Sequence, residues 1–256
     1  MTGPNYAADA DIARTIAAEA GALLLALQQG GGLPGELGTQ GDRQANALII
    51  ARLKAAFPND FILSEEAPDD VTRCSASRVW IVDPLDGTRE YAAGRNDWAV
   101  HIGLVVDGVP VAGAVAVPGA GRIFASNDAA GVPAATAPHG PRMLVSRSRP
   151  PEIAIAAASA IGAALVPMGS AGAKAMAVVT GEAEIYLHDG GQYEWDSCAP
   201  VAVALAAGCH ASRIDGTPLV YNGADPYLPD LLICRPEWAA RVLSAIAAAH
   251  QAKNTC

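Results

Sequence analysis

Two aspartates, Asp83 and Asp86, stand three residues apart in the stretch "VWIVDPLDGTREY" (Val79 to Tyr91), directly after apolar residues that read as a buried strand. On an extended strand, side chains three apart point to opposite faces, so the carboxylates converge only if the chain turns between them. Pro84 favours a turn, because it fixes its own φ and biases Asp83 towards extended geometry. Gly87 adopts backbone conformations that other residues resist and lets another group come close. The result is a cup of oxygen donors made of two carboxylates, the Leu85 carbonyl and the Thr88 hydroxyl. Such a set suits a hard divalent cation such as Mg²⁺. Without a cation the carboxylates repel and one tends to keep its proton. The same residues also read as a strand end at Asp83, a turn at Asp86-Gly87 and a helix cap at Thr88.

A similar Asp-x-Asp-Gly-Thr occurs in enzymes that phosphorylate their own aspartate, but there the two acids are two apart on one side of a strand. A spacing of three with an intervening proline favours water held by a metal as the nucleophile.

The elements that must position this cup follow from periodicity. Ile12, Ile16, Leu23 and Leu27 keep helical spacing after Asp9, a candidate cap, until the glycines at 30–32. The stretch "GGGLPGELGTQG" reads as a loop. A second helix then carries Ala45, Leu48, Ile49, Leu53 and Phe57, with Asp42 at its start and Pro58 just beyond it. A short strand "FIL" and the acidic "SEEAPDD" lead into "VWIV". Asp107-Gly108 supplies the positive φ pair of a tight hairpin between two β-rich runs. Further on, "RMLVS", "AALVP", "AEIYL" and "LLICR" alternate with alanine-rich helical stretches around 152–162, 171–180, 197–207 and 237–250, a layered α/β pattern. A soft boundary near Pro138 to Pro141 divides the chain into 1–139, with antiparallel sheet and most of the candidate ligands, and 140–256, which closes the site.

The chain's 256 residues suit one large domain or two fused halves. With 26 acidic against 17 basic residues the net charge is -9, which argues against nucleic acid and anionic membranes as partners. Five scattered cysteines show neither zinc nor disulfide spacing, and the five histidines share no ligand spacing, so a reducing, cytoplasmic setting without zinc is expected. The first twenty residues carry acids where a secretory signal has bases, and no apolar run approaches the ~18 residues of a membrane span. The chain therefore reads as soluble and unprocessed. The glycine-rich 30–41 stretch lacks the Gly-Lys-Ser/Thr of a phosphate-binding loop, and "PGAGR" reads as a turn. Cys198 reads as a small buried thiol.

Taken together, "SEE" at 64–66, "WIVDPLDGT" at 80–88 and "EWDSCAP" at 194–200 resemble the signature of the lithium-sensitive, magnesium-dependent phosphatases. This is the superfamily of inositol monophosphatase, fructose-1,6-bisphosphatase and 3′-phosphoadenosine 5′-phosphate phosphatase. The likeness runs from "TQGD" to "GTPLVY". Two details, "PLDGTREY" and "LVSRSR", resemble the CysQ type, in its actinobacterial form, which removes the 3′-phosphate of 3′-phosphoadenosine 5′-phosphate.

The resemblance implies an α+β or α/β layered α-β-α-β-α sandwich and two or three Mg²⁺ per site. Glu65, Asp83 and the Leu85 carbonyl are then ligands of one cation, and Asp83, Asp86 and Asp196 of a second. It further implies in-line attack by water that Asp42 and Thr88 orient and deprotonate, with Glu65 in the catalytic set, and inhibition by Li⁺. Asp42 and Asp196 read equally well as helix caps. Substrate contacts are expected from Glu65, Leu85, Asp86, Gly87, Thr88 and Asp196. For a second phosphate or the ribose, the candidates are Arg89, Ser146, Arg147, Ser148 and Lys174. The implied reaction is release of the 3′-phosphate from 3′-phosphoadenosine 5′-phosphate, or its sulfated form, in sulfate assimilation. Inositol-1-phosphate or fructose-1,6-bisphosphate hydrolysis is the alternative within the class. "WDSCAP" departs from the usual Trp-Asp-x-Ala-Ala-Gly, which puts the local helix start in question and motivates the alternative of a weakly active metal- and nucleotide-binding regulator. A homodimer is a further expectation, since dimers are common in the family.

Overall fold

A computed structural model describes residues 5–31, 34–128, 131 and 140–254. The first helix, α1 (Ala7–Gly30), buries the stripe Ala10, Ala13, Ile16, Ala17, Ala20 and Leu24. Asp9 lies in its first turn rather than capping it, and is spent on Arg78 at 2.8 Å. The Asn5 side chain instead accepts the Ala7 amide.

The second helix, α2 (Pro34–Ala56), starts eight residues before the expected Asp42, so most of the presumed 30–41 loop is helical. Proline suits a first helical position, where its missing N–H is not needed. Two glycines within α2 serve close packing. A Cβ on Gly38 would sit 2.7 Å from Thr88 Cγ2, and one on Gly41 would sit 3.0–3.1 Å from Leu24, Leu85 and Tyr91. Asp42 is therefore not a cap. It lies within α2 and faces the cup.

The first sheet runs in the order β1 (Phe61–Ser64), β2 (Arg78–Asp86), β3 (Ala99–Val106), β4 (Val109–Val117), β5 (Arg122–Ala125), with only β1 and β2 parallel. A one-turn helix, α3 (Thr88–Ala92), follows β2. Asp107 (φ 48°) and Gly108 (φ 78°) make the hairpin between β3 and β4. The second sheet has the order β7 (Ala164–Met168), β6 (Arg142–Ser146), β8 (Ile185–Tyr193), β10 (Tyr227–Cys234), β9 (His210–Ser212). Here β6 is parallel to both β7 and β8, and β10 is antiparallel to β8 and β9. The connecting helices are α4 (Glu152–Ile161), α5 (Ala171–Val179) and α6 (Glu194–Ala206), and α7 (Ala239–Asn254) follows β10. Pro138, at one end of the expected boundary, lies outside the described residues, whereas Pro141 lies just before β6.

Layering follows from the two-residue period of the strands. In β2, Trp80 and Val82 join α1 and α2 in one core, while Val79 and Ile81 join α5 and α6 in another. That second core also takes Leu231 and Ile233 from the second sheet. The other face of that sheet packs Met143, Val145 and Leu187 against α4 and α7. The order is thus α-β-α-β-α. A sheet covered on both faces has strands that read as continuous apolar runs, which is why "VWIV" and "LLIC" lack alternation.

The middle layer is thin because Gly103 and Gly113 face each other across β3 and β4. A Cβ on Gly103 would lie 2.6 Å from Cys198 Sγ and 2.9 Å from the Ala199 nitrogen, and one on Gly113 would lie 3.2 Å from Ala199 Cα. The glycine pair lets α6 lie directly on the first sheet. Cys198 is fully buried in this contact, and burial pushes its thiol well above the usual range. Pro200 sits inside α6 rather than at its edge, and the helix continues to Ala206 without the N–H that the Asp196 carbonyl would otherwise accept. Gly103→Ala is expected to cost about 1–3 kcal/mol by overpacking, read as a lower midpoint in urea.

Candidate active site

The convergence of Asp83 and Asp86 is achieved inside β2. Asp83 pairs with His101 and Asp86 with Ala99, so three residues on one strand span two on the other. This β-bulge at Pro84-Leu85 brings round a carboxylate that regular alternation would send to the opposite face. Pro84 has no N–H to leave unpaired. The Leu85 amide donates to Asp83 Oδ1 at 3.0 Å. Gly87, at φ 89°, then turns the chain into α3, and the Thr88 hydroxyl donates to the Leu85 carbonyl at 3.1 Å.

The first turn of α6 supplies the third acid. Asp196 is the third residue of α6, and its Oδ2 accepts the Tyr193 amide at 2.7 Å, which starts the helix at Glu194, ahead of the expected 197. One oxygen from each of Asp83, Asp86 and Asp196 lies within 4.8 Å of the others. Burial, and then Glu65, Asp86 and Asp196, raise the Asp83 pKa well above the usual value. Burial and then Asp86 raise that of Asp196 to about 7. Buried oxygens this close are costly as bare anions, and a divalent cation relieves the cost. The donor set is oxygen only, which fits a hard cation.

Asp42 reaches the same cup from α2. It is buried, its Oδ1 has no hydrogen-bond partner among the described residues, and Thr88 lies beside it. Burial, then Glu66 and Glu65, push its pKa up to about 7. An acid poised there exchanges protons near neutrality. Glu65 follows β1, and its amide bonds the Val82 carbonyl at 3.3 Å. Much of the residue faces solvent, yet its carboxylate is turned against Asp83, and burial followed by Glu66 raises its pKa. It stands outside the three-oxygen cluster.

Several residues that hold this centre escape the motif reading. His101, fully buried opposite Asp83, places Nε2 3.2 Å from Asp86 Oδ2 and donates from Nδ1 to the Trp195 carbonyl at 3.1 Å. One imidazole thus joins the acid on β2 to the helix that carries Asp196. Gly172 makes room for it, since a Cβ there would lie 2.1 Å from His101 Nε2, and its own amide donates to Asp86 Oδ2 at 2.8 Å. The Ser170 hydroxyl also donates to Asp86. Burial opposes charge on Asp86, but His101, Lys174 and Ser170 outweigh it and hold its pKa below the usual value. A lone histidine in the apolar strand "WAVHIGLVV" is the signal that would have found this group.

The expected substrate contacts separate into two kinds. Lys174 is buried, and its ammonium donates to the carbonyls of Met168, Gly169 and Ser170 at 3.5, 3.2 and 2.5 Å. Its charge secures the turn that presents Ser170 to Asp86 and is not offered to a substrate. Burial lowers its pKa to about 8. Arg147 is ion-paired with Glu90 at 2.7 Å. Arg89 and Ser148 are exposed, and Ser146 Oγ accepts the Arg149 amide. A strap outside the motif ties the Glu65 loop to α6. Buried Arg73 clasps Asp69 and reaches Asn222, while Glu194 accepts the Asn222 and Gly223 amides at 2.7 and 2.8 Å.

The raised acids give a signed prediction. In the folded state Asp42 keeps its proton to about pH 7, against 3.8 as its ordinary value, so its contribution to stability is full below about 3.8 and is lost as pH rises through 7. In chelator-treated protein, Asp42→Asn should therefore gain stability over wild type across that window, on the order of 2–4 kcal/mol at the upper end. Thermal or urea unfolding of both proteins over pH checks it, and parallel curves refute it.

Comparison with known proteins identifies the family. The Inositol monophosphatase family matches residues 2–251. The chain is 51% identical over 239 residues to a 3′-phosphoadenosine 5′-phosphate phosphatase of Mycobacterium bovis, with 90% of each chain covered. It is 31% identical over 207 residues to the 3′(2′),5′-bisphosphate nucleotidase CysQ of Escherichia coli, covering 74% of this chain and 81% of that one. Among solved structures, inositol monophosphatase II of Staphylococcus aureus superposes with TM-score 0.80 at 21% identity, covering 93% of this chain and 95% of that one. An inositol monophosphatase from Anabaena gives 0.77 at 23%, covering 96% and 97%. By sequence, fold and the family's matched span, this chain belongs to the inositol monophosphatase family.

Proposed function

We propose that the chain is a Mg²⁺-dependent phosphomonoesterase that hydrolyses the 3′-phosphate of 3′-phosphoadenosine 5′-phosphate, or of its sulfated form, in sulfate assimilation. The observation that carries the reaction type is the acidic centre, in which Asp83, Asp86 and Asp196 meet within 4.8 Å beside an Asp42 with pKa about 7. The substrate rests on the activity named for the relatives that share half of its residues.

Asp83, Asp86 and Asp196 would hold one cation, and Glu65, Asp83 and the Leu85 carbonyl another. Bound there, Mg²⁺ supplies Lewis acidity and offsets the charge of the phosphoryl group and of the leaving alcohol. The chain's own residues do the rest. The Thr88 hydroxyl and Asp42 orient the attacking water, and Asp42 takes its proton. Gly87, held in a left-handed conformation, and Thr88 present backbone N–H groups to the phosphate. Arg89, with the serines and basic residues of 146–149, forms the rim that meets a second phosphate. The acids on β2, α2 and α6 are positioned before substrate arrives, so little reorganisation is needed at the reacting centre. A cytoplasmic setting belongs to this reading, supported by the free thiols of Cys74, Cys198, Cys209 and Cys234. Association as a homodimer and inhibition by Li⁺ complete it.

Phosphate release with Mg²⁺ from 3′-phosphoadenosine 5′-phosphate, inositol-1-phosphate and fructose-1,6-bisphosphate, compared by kcat/KM, is the deciding experiment. The adenosine bisphosphate is expected to lead by about a hundredfold, roughly 2.7 kcal/mol of transition-state discrimination. Comparable values would make the chain a broad sugar-phosphate phosphatase, and no release from any substrate would make it a binding protein. Asp83→Asn and Asp196→Asn should each lower kcat/KM at least about a hundredfold while circular dichroism stays that of the folded chain. Mg²⁺ should also stabilise the wild type more at about pH 8 than at about pH 6, because acids with raised pKa release protons when they bind a cation.

A further inference from the structure

Three aromatic side chains stand together where β8 gives way to α6. The Tyr193 and Trp195 rings are stacked, with centroids 4.8 Å apart and planes 9° from parallel. Tyr227, the cross-strand partner of Tyr193, meets its ring edge-on at 5.7 Å and 78°. Packed aromatic trios normally lie in a core. Here Tyr193 and Tyr227 keep 42% and 46% of their surface exposed, and only Trp195 leans on the middle-layer core.

The backbone beneath the rings is fixed by the acidic centre itself. The Tyr193 amide donates to the Asp196 carboxylate at 2.7 Å. The Trp195 carbonyl accepts from His101, whose other nitrogen faces Asp86 at 3.2 Å. The backbone that carries the stack is therefore tied to the acidic centre at both residues.

Nothing in phosphate-ester hydrolysis calls for such a surface. Cations, N–H donors and a base suffice for the phosphoryl group, and an inositol or fructose ring presents no π face. A preorganised aromatic pair with exposed area matches a planar heteroaromatic ring, which stacks whatever its hydrogen-bonding pattern. Arg149, exposed beyond the end of β6, adds positive charge that is felt at His188 on β8, the strand that ends at Tyr193. Exposed aromatic rings, an acidic centre and a basic charge felt on the same strand suit a molecule with a flat base and more than one phosphate.

We propose that the Tyr193–Trp195 stack, braced by Tyr227, is a nucleobase platform that holds the purine of the substrate while its phosphate lies at the acidic centre. The proposal rests on the nucleotide-phosphatase reading above and names the residues that set nucleotides apart from sugar phosphates.

The test compares kcat/KM for 3′-phosphoadenosine 5′-phosphate and inositol-1-phosphate in wild type, Tyr193→Ala, Tyr193→Trp and Tyr227→Ala, alongside tryptophan-fluorescence titration with adenosine 5′-monophosphate. Tyr193→Ala should lower the ratio of nucleotide to inositol efficiency at least about tenfold, chiefly through KM, in line with the stacking energy of one base. Tyr193→Trp should restore the ratio, Tyr227→Ala should lower it less, and affinity for the monophosphate should follow the same order. An equal fall on both substrates would show that the ring only holds Asp196 in place, and an unchanged ratio would show that it stacks nothing. Either result overturns the platform. Failure of the underlying reading looks different. A wild type that releases no phosphate from the nucleotide, yet binds the monophosphate through Tyr193, removes the substrate assignment and leaves the platform standing.

Discussion

Like charges held close in a dry place are the condition on which this structure turns. Asp83, Asp86 and Asp196 bring oxygens within 4.8 Å of one another, with Glu65 and Asp42 at their margin. Carboxylates so placed repel more strongly than they would in water, because the surrounding medium screens them less. The fold answers in two ways. Asp83, Asp196 and Asp42 have raised pKa values, so that protons on them relieve the mutual repulsion. Asp86 has a lowered pKa, surrounded by His101, Ser170, the Gly172 amide and the nearby charge of Lys174. One centre thus contains an acid kept ionised and others ready to exchange protons. Divergent pKa values in neighbouring carboxylates are how a site assigns different roles to one residue type.

Close approach is the second requirement, and glycine supplies it at each seam. Gly38 and Gly41 let α2 lie against Thr88 and Leu85, Gly103 and Gly113 let α6 lie on the first sheet, and Gly172 admits the His101 ring. Each contact brings one acid or its support into the cup from a different layer. Asp42 comes from the outer helices, Asp83 and Asp86 from the first sheet, and Asp196 from the middle helices. A site assembled across three layers depends on the packing of all of them, so a methyl group at Gly103 is felt at Asp196 although the two residues are far apart in sequence.

The hydrogen bonds around α6 give the same helix start two duties. The Tyr193 amide satisfied by Asp196 is a capping interaction, worth about 1 kcal/mol in an ordinary helix. It also anchors an aromatic ring next to the acidic centre. His101 does likewise, serving Asp86 with one nitrogen and α6 with the other. The acidic centre and the aromatic stack therefore share one backbone framework.

What the sequence by itself determined was local. The apolar runs placed the strands, Asp107-Gly108 placed the hairpin, and "DPLDGT" announced an oxygen-rich cup, because turn chemistry and donor type are written within a few residues. The layered class was legible for the same reason, since helix and strand periods alternate along the chain. Tertiary structure decided what depends on partners distant in the chain. Gly38 and Gly41 read as helix breakers by propensity, yet they lie within α2, where α3 and α1 press against them. Asp42 looked like a cap and is a buried acid, because α2 begins at Pro34. Lys174 looked like a phosphate ligand, but its charge is consumed by three carbonyls of a neighbouring turn. His101 carried no motif at all, since its meaning lies in Asp86, fifteen residues earlier, and Trp195, ninety-four later. Residue type states which bonds a side chain can make, and only the packed fold selects which of them it does make.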